Sequence, residues 1–294
     1  MEYIDQKDIQ KRMPKRLAVN KIVRGIFFAS TVFGLVVLAI LLYDVISDAY
    51  GWLTWDFLTS VMSFDPANAG IIGAISGTLW LMMIVGPFTM IIGVASAIYL
   101  EEYAKRGRLQ TFIETNISNL AGVPSIVFGL LGLTVFVRIL GFGSVVLAGG
   151  LTMSLLVLPI VIVAAQEALR AVPSYLREAS FGMGATKWQT VRNVVLPAAL
   201  PSILTGMILA MSRAIGETAP LIALGIPALL IPLPSSVFDS FTVLPVQIYY
   251  WTIDAALEAE YLFLAAATII VLLVILFILN STAILIRNKF QKRF

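Results

Sequence analysis

The chain has no cysteine and no histidine. The first absence excludes disulfides and thiol chemistry, and it leaves the redox compartment unread. The second removes the commonest metal ligand and the commonest proton shuttle near neutral pH. Charge is scarce as well: Asp, Glu, Lys and Arg make up 13% of the 294 residues, against about 25% in a soluble domain. No G-x-x-x-x-G-K-[ST] run occurs, so the usual loop for cradling ATP is missing. No catalytic cluster is visible, and no group of side chains suggests a bound cofactor or metal. The reading is therefore not an enzyme. The first twenty residues are polar and the first apolar run is long, so no cleavable signal peptide is expected.

What the chain does have is apolar length. It is 59% hydrophobic, with a mean hydropathy of +0.94. Six apolar runs, over 22–43, 71–100, 115–138, 146–165, 201–224 and 261–286, each approach the roughly 20 residues that a bilayer requires. An all-α integral membrane protein with six transmembrane helices is expected. Gly86-Pro87 offers the second span a kink. Between the spans lie a tail (1–21), a loop (44–69), a polar loop (166–200), a broken segment (225–260) and a second tail (287–294).

Every Lys and Arg except Arg138 and Arg213 falls in the two tails (with Arg24, at the start of the first run, counted with the first), in the loop holding Lys105, Arg106 and Arg108, or in the loop holding Arg170, Arg177, Lys187 and Arg192. The opposite loops hold acids, among them Asp44, Asp56, Asp65, Asp239, Asp254 and Glu260. The bias puts both termini and the loop 166–200 in the cytoplasm of a cell-membrane protein. The pI near 9.1 reflects that topology, and no nucleic-acid partner is expected.

The loop 178–197 carries an ordered pattern. Glu178-Ala179-Ser180 is followed by Gly184, then Val194, then Leu196-Pro197. Residues 174–182 suit a short amphipathic helix. Gly184 tolerates positive φ and marks a turn. A second short helix is expected over Ala185 to Val195, ended by Pro197 and Pro201. Two short helices joined at a glycine make a compact knob that a cleft on a soluble partner can hold.

Two further basic residues sit inside apolar runs. Arg138 lies near a span end, where it can snorkel to the interface. Arg213 lies in the middle of the fifth run, within SRAIGETAP, four residues before Glu217. That spacing puts both on one helix face. The pair serves either to fix helix register or to face a translocation path, and ionisable residues inside a span favour the second. Gly216, Thr218, Ala219 and Pro220 allow a bend beside it. Ser118, Gly122, Pro124 and Ser125, like Gly73, Ser76, Gly77 and Thr78, suit close helix packing. The stretch FTVLPVQIYYW (241–251), with Tyr249, Tyr250 and Trp251, suits either the membrane interface or a partner's outer surface. Residues 44–69, with Trp52 and Trp55, share that ambiguity.

Taken together, these motifs resemble a known family. ISGTLWL and AIYLEEYA bound the second run, SNLAGVPSIVFGL lies in the third, and the Glu178 loop follows. This order is similar to that of type-I ABC importer permeases of the MetI-like fold, over about residues 70–286. Within them, SRAIGETAPLI and FTVLPVQIYYW resemble phosphate-specific permeases of the PstA type. The resemblance implies a division of labour. A sister permease of the PstC type completes the pore. A dimeric cytoplasmic ABC ATPase drives it, and an extracytoplasmic binding protein delivers phosphate. Arg213, Glu217 and Thr218 would then line the path, and Glu178, Ala179, Gly184, Leu196 and Pro197 would couple to the ATPase. Permeases for molybdate, sulfate or phosphonate share the class. A secondary transporter would need ion-coupling groups in the spans, and one acid without histidine is thin support.

Overall fold

The structure, a computed structural model, describes residues 6–105, 107–227 and 233–290. Arg106, Lys292 and Arg293, counted in the charge bias, and Pro232 of the broken segment lie outside the described residues. Among the described residues twelve helices follow one another. They are α1 (Gln6–Ala49), α2 (Trp55–Thr59), α3 (Ile72–Ile98), α4 (Arg108–Leu120), α5 (Ser125–Gly132) and α6 (Val146–Arg170). Then come α7 (Ser174–Gly182), α8 (Lys187–Thr190), α9 (Leu196–Gly216), α10 (Ala219–Ala223), α11 (Leu244–Asp254) and α12 (Glu260–Phe290). Wider π-turns extend α3 through Tyr99–Tyr103 and α5 through Leu133–Ile139, and another, Val191–Val195, joins α8 to α9. Among the described residues the only β feature is one isolated bridge, Val145 with Ser240.

Five of these helices are long and apolar enough to cross a membrane, and α4 with α5 makes a sixth if the bent pair counts as one span. α6 lies at the centre, against α3 on one side and α9 on the other. Its faces are almost wholly buried, from Val146 and Ala148 to Val161 and Leu169. A second cluster packs the far end, where Phe57, Leu244, Trp251 and Leu264 meet. A third packs the end that carries the Glu178 loop, where Ala97, Leu169, Val195 and Ile203 meet. α1 runs for 44 residues, about 66 Å at 1.5 Å per residue; it touches α12, packs its end at Ala49, and is exposed over 16–44.

Three expectations change. The run 115–138 is not one helix: α4 and α5 meet at a bend of 101°. Pro124 disfavours helical backbone at Val123 before it. α4 itself is amphipathic, with Glu114, Thr115, Asn116, Ser118 and Asn119 on it. Ser118, Gly122 and Pro124 are exposed at that bend rather than packed within this chain. Second, Pro197 and Pro201 do not end a helix. The chain is helical from Lys187 to Gly216, and Pro201 lies inside α9. The π-turn just before Pro197 absorbs its missing N–H. Third, α11 does not present Trp251 at a surface but packs it inside the protein. Leu244, Gln247 and Trp251 are buried, and Trp251 lies 6.2 Å from the Phe57 ring. Tyr249 remains exposed.

Glycine sets one close approach. A Cβ on Gly129 would lie 2.5 Å from the Pro220 carbonyl oxygen and 2.8 Å from the Ala223 Cβ. α5 therefore rests directly on α10. Gly73, by contrast, faces open space. Gly129→Val should destabilise the fold by about 1–3 kcal/mol through overpacking, while Gly73→Ala should not. Thermal unfolding of the two purified variants checks this.

A carboxylate organises the turn before α11. Asp239 Oδ2 accepts from the Ser235 amide, the Ser235 hydroxyl and the Ser236 amide, each at 2.8 Å. Those bonds, the Ser235 amide foremost, hold its pKa below the usual carboxylate value. The same turn offers the Asp239 and Val237 carbonyls to the Val146 and Leu147 amides at the start of α6. A carboxylate with a depressed folded pKa stabilises above its unfolded value and loses that contribution as pH falls through the folded one. Protection of the Val146 and Leu147 amides from exchange should therefore fall as pH drops below about 4. Asp239→Asn should show lower protection with no such step.

Candidate functional site

Two places concentrate the polar side chains. The first is the knob between α6 and α9. Pro173 precedes α7 as its N-terminal flank. At the other end of α7 the chain turns back through Met183 and Gly184. The Gly184 amide donates to the Phe181 carbonyl at 2.9 Å, and the Ala185 amide to the Ser180 carbonyl at 3.2 Å. Gly184 has φ +82°, a left-handed backbone that favours glycine. Thr186 then caps α8. Its hydroxyl accepts from the Gln189 amide at 3.3 Å, and Gln189 Oε1 accepts from the Thr186 amide at 2.8 Å. The Ser180 and Thr190 hydroxyls, 2.9 Å apart, hold the two short helices together.

The outer surface of this knob is apolar for so polar a loop. Tyr175, Phe181, Met183 and Trp188 are all exposed on it, a pattern that marks an interaction site. Glu178 and Ala179 are exposed on α7 and Gly184 at the turn. Leu196 and Pro197 are not brought to that surface. They are half-buried where the helix runs on into α9, and Leu196 packs on the cluster around Val195 and Ala199.

Beneath the knob lies a network that the loop pattern did not single out. Arg177 pairs with Glu102 on the π-turn that ends α3, at 2.8 Å. Arg170, the last residue of α6, pairs with Glu101, with Glu114 of α4 and with Glu167. The buried Gln166 amide donates to Glu101 at 3.2 Å and to Glu114 at 3.3 Å. The signal was present in the sequence: two acids close one apolar run, and an arginine directly precedes Glu178. Lys187 lies 5.1 Å from the Tyr103 ring centroid, a cation–π contact across the same joint.

The second place is the end of α9. Pro220 has no N–H to donate to Gly216, so the helix stops there. Glu217 takes an extended backbone, ψ 124°, and α10 restarts at Ala219. Arg213 is thus in the last helical turn rather than mid-helix, where a cation is favoured by the helix dipole. Its Nε donates to Glu217 Oε1 at 3.2 Å. The pair forms, but Glu217 reaches back from outside the helix. The Arg213 side chain is 51% exposed and that of Glu217 19%. Thr218 is half-buried, and its carbonyl accepts from the Leu221 and Ile222 amides. Beside Arg213, the Ser212 hydroxyl meets Asn280 Oδ1 at 2.6 Å, tying this turn to α12.

Comparison with known proteins gives the family. The family described as "Binding-protein-dependent transport system inner membrane component" matches residues 89–291. Phosphate transport system permease protein PstA 1 of Mycobacterium tuberculosis is 37% identical over 71% of this chain and 70% of its own length. PstA of Haemophilus influenzae is 31% identical over 87% of this chain and 90% of its own. The probable ABC transporter permease protein YqgI of Bacillus subtilis is 33% identical over 70% of each. Among solved structures, a chain of the bacterial alginate ABC transporter superposes with TM-score 0.65 at 16% identity, covering 92% of this chain and 96% of that one. A chain of the inward-facing MetNI methionine ABC transporter gives 0.60 at 19% identity, covering 76% and 96%. These two likenesses show a shared fold.

The capping geometry yields a local test. Thr186→Ala removes the acceptor for the Gln189 amide and should weaken α8 by about 1 kcal/mol. Faster amide exchange at Gln189, with α6 and α9 unchanged, is the expected reading.

Proposed function

We propose that this chain, which belongs to the family of binding-protein-dependent transport system inner membrane components, forms half of the translocation path of an ATP-driven importer of inorganic phosphate. It is a multi-pass membrane permease of an ABC importer, and ATP hydrolysis belongs to a separate subunit. A substrate-binding protein is the other partner that the family implies. Phosphate is carried over from the PstA relatives, which align over most of this chain.

The observation that carries the pathway assignment is the half-exposed Arg213 beside a helix break. A guanidinium in an otherwise apolar helix does not belong against lipid. It gives charge-assisted bonds to an oxyanion. On this reading Glu217 holds Arg213 when the path is empty and releases it when the anion arrives, and Thr218 adds a hydroxyl to the same lining. One arginine is too little for a divalent anion in a low-dielectric passage. A pseudo-symmetric sister permease of the PstC type supplies the other face and a second cation.

The lysine and arginine bias orients the chain with both termini and the α7–α8 knob in the cytoplasm. Glu178, Ala179 and Gly184 then offer the knob to the dimeric ATPase, with Tyr175, Phe181 and Met183 as its apolar contact. Leu196 and Pro197 fix how the knob joins α9.

Uptake measurements in cells lacking the native copy test both halves. Arg213→Gln should lower phosphate uptake by about tenfold to a hundredfold, the worth of a charged hydrogen bond. Glu217→Gln should lower uptake without admitting sulfate as a competitor. Gly184→Asp should abolish uptake with membrane levels preserved. Wild-type uptake in Arg213→Gln removes the pathway assignment, and wild-type uptake in Gly184→Asp removes the coupling assignment. New sulfate inhibition in Glu217→Gln gives that carboxylate a selectivity role instead.

A further inference from the structure

We infer that Arg177 is a positioning residue for energy transfer: it braces the α7 knob against Glu102 of α3, so that a push on the knob moves α3. This rests on the reading of the α7–α8 knob as the ATPase contact.

The covalent link between α6 and α7 is short and open. Only Ala171, Val172 and Pro173 lie between the two helices, so by themselves they make a hinge. Arg177 closes that hinge from three directions. Its Nη1 donates to the Val172 carbonyl at 2.7 Å, and its Nη2 to the Leu169 carbonyl at 2.8 Å. The Leu169 oxygen also accepts from the Val172 amide at 3.3 Å, so the arginine reinforces the turn that ends α6. Nε and Nη2 also both donate to Glu102 Oε1, at 3.1 and 2.8 Å. One planar side chain thus joins α6, α7 and α3. Arginine suits this task because its donors point in fixed directions from one rigid plane.

The joint is well shielded, with side-chain exposure of 21% for Arg177 and 11% for Glu102. It is therefore firmer than a surface pair, which contributes little. Removing one partner would leave the other poorly solvated and unpaired. What lies halfway along α3 gives the brace a purpose. Met82 and Gly86 of α3 face Met211, Ser212 and Ile215 of α9 across a cavity of about 260 Å³. Ser212 adjoins Arg213. A continuous helical path, with Pro87 inside it, therefore runs from the knob's brace to the cavity beside the turn that carries the pathway arginine. With the brace intact, displacement of α7 is delivered along α3. Without it, the displacement is lost in the 171–173 hinge.

The test uses the whole assembly of this chain with its sister permease, ATPase and binding protein, reconstituted in lipid vesicles. Two quantities are read: phosphate imported per ATP hydrolysed, and ATPase retained on the purified complex. Arg177→Gln should lower the transport ratio by about tenfold while the ATPase stays bound and active. Glu102→Gln, nearly isosteric, should do the same, and the double variant should be no worse than either single one. Arg177→Lys, which can serve only some of these acceptors at once, should fall between. If Arg177→Gln does not reach the membrane, Glu102→Gln decides alone. A wild-type ratio in Glu102→Gln overturns the proposal. So does loss of ATPase in proportion to loss of transport, which would make Arg177 a docking support only. Gly184→Asp separates the layers. If it disrupts coupling while the brace variants transport normally, the brace falls and the knob assignment stands. If it too is wild type, the knob assignment falls.

Discussion

In an apolar bundle a polar group without a partner inside the protein is costly, and this constraint shapes most of the described residues, Thr242, Gln247 and Trp251 being the buried exceptions. It explains why the described residues are nearly all helical, since a helix satisfies its own backbone. It also explains the buried hydroxyls. Thr78, Thr89, Thr152, Ser154 and Thr268 each donate to the carbonyl four residues back in their own helix. Thr78 also accepts from the Leu244 amide at the start of α11, at 3.0 Å. Charges cannot be hidden in this way. They gather where helices end: at the knob with its arginine and glutamate joints, and at the break after Gly216.

The fold class was legible because hydrophobic run length is a one-dimensional signal. The knob was legible because turn chemistry is local: Gly184 and Thr186 act on their immediate neighbours. What escaped had a different cause in each case. The bend at Pro124 was hidden by the apolar run that follows it, although the alternation of Thr115, Asn116, Ser118 and Asn119 already marks α4 as amphipathic. Pro197 and Pro201 looked like stops because proline removes a donor. A π-turn absorbs that loss, and a π-turn has no composition of its own. Trp251 looked interfacial by type, yet it is buried beside Phe57, a partner nearly two hundred positions away.

The pairings of Arg177 and Arg170 show the limit most clearly. From sequence, both arginines count towards a charge bias, and Glu101, Glu102 and Glu114 count only as acids at a span end. Their partners lie 75 residues apart for Arg177 with Glu102 and 56 for Arg170 with Glu114. No periodicity connects them. The same residues that tell which side of a membrane a loop prefers also hold three helices in one rigid joint, and only the second role requires the fold.

The two charged places differ in a way that bears on the proposed function. At the knob, Arg177 has its acceptors within this chain and is largely shielded. At the break, Arg213 has one carboxylate and remains half exposed. The helix dipole supports a cation there but supplies only about half a charge, which does not replace a hydration shell. A guanidinium so placed needs water, an anion or another protein surface beside it. A closed joint of the first kind transmits position without changing its partners. An open one of the second kind can exchange them. If α3 links the two, the chain separates its labour physically: charge that is locked carries the movement, and charge that is free meets what is moved.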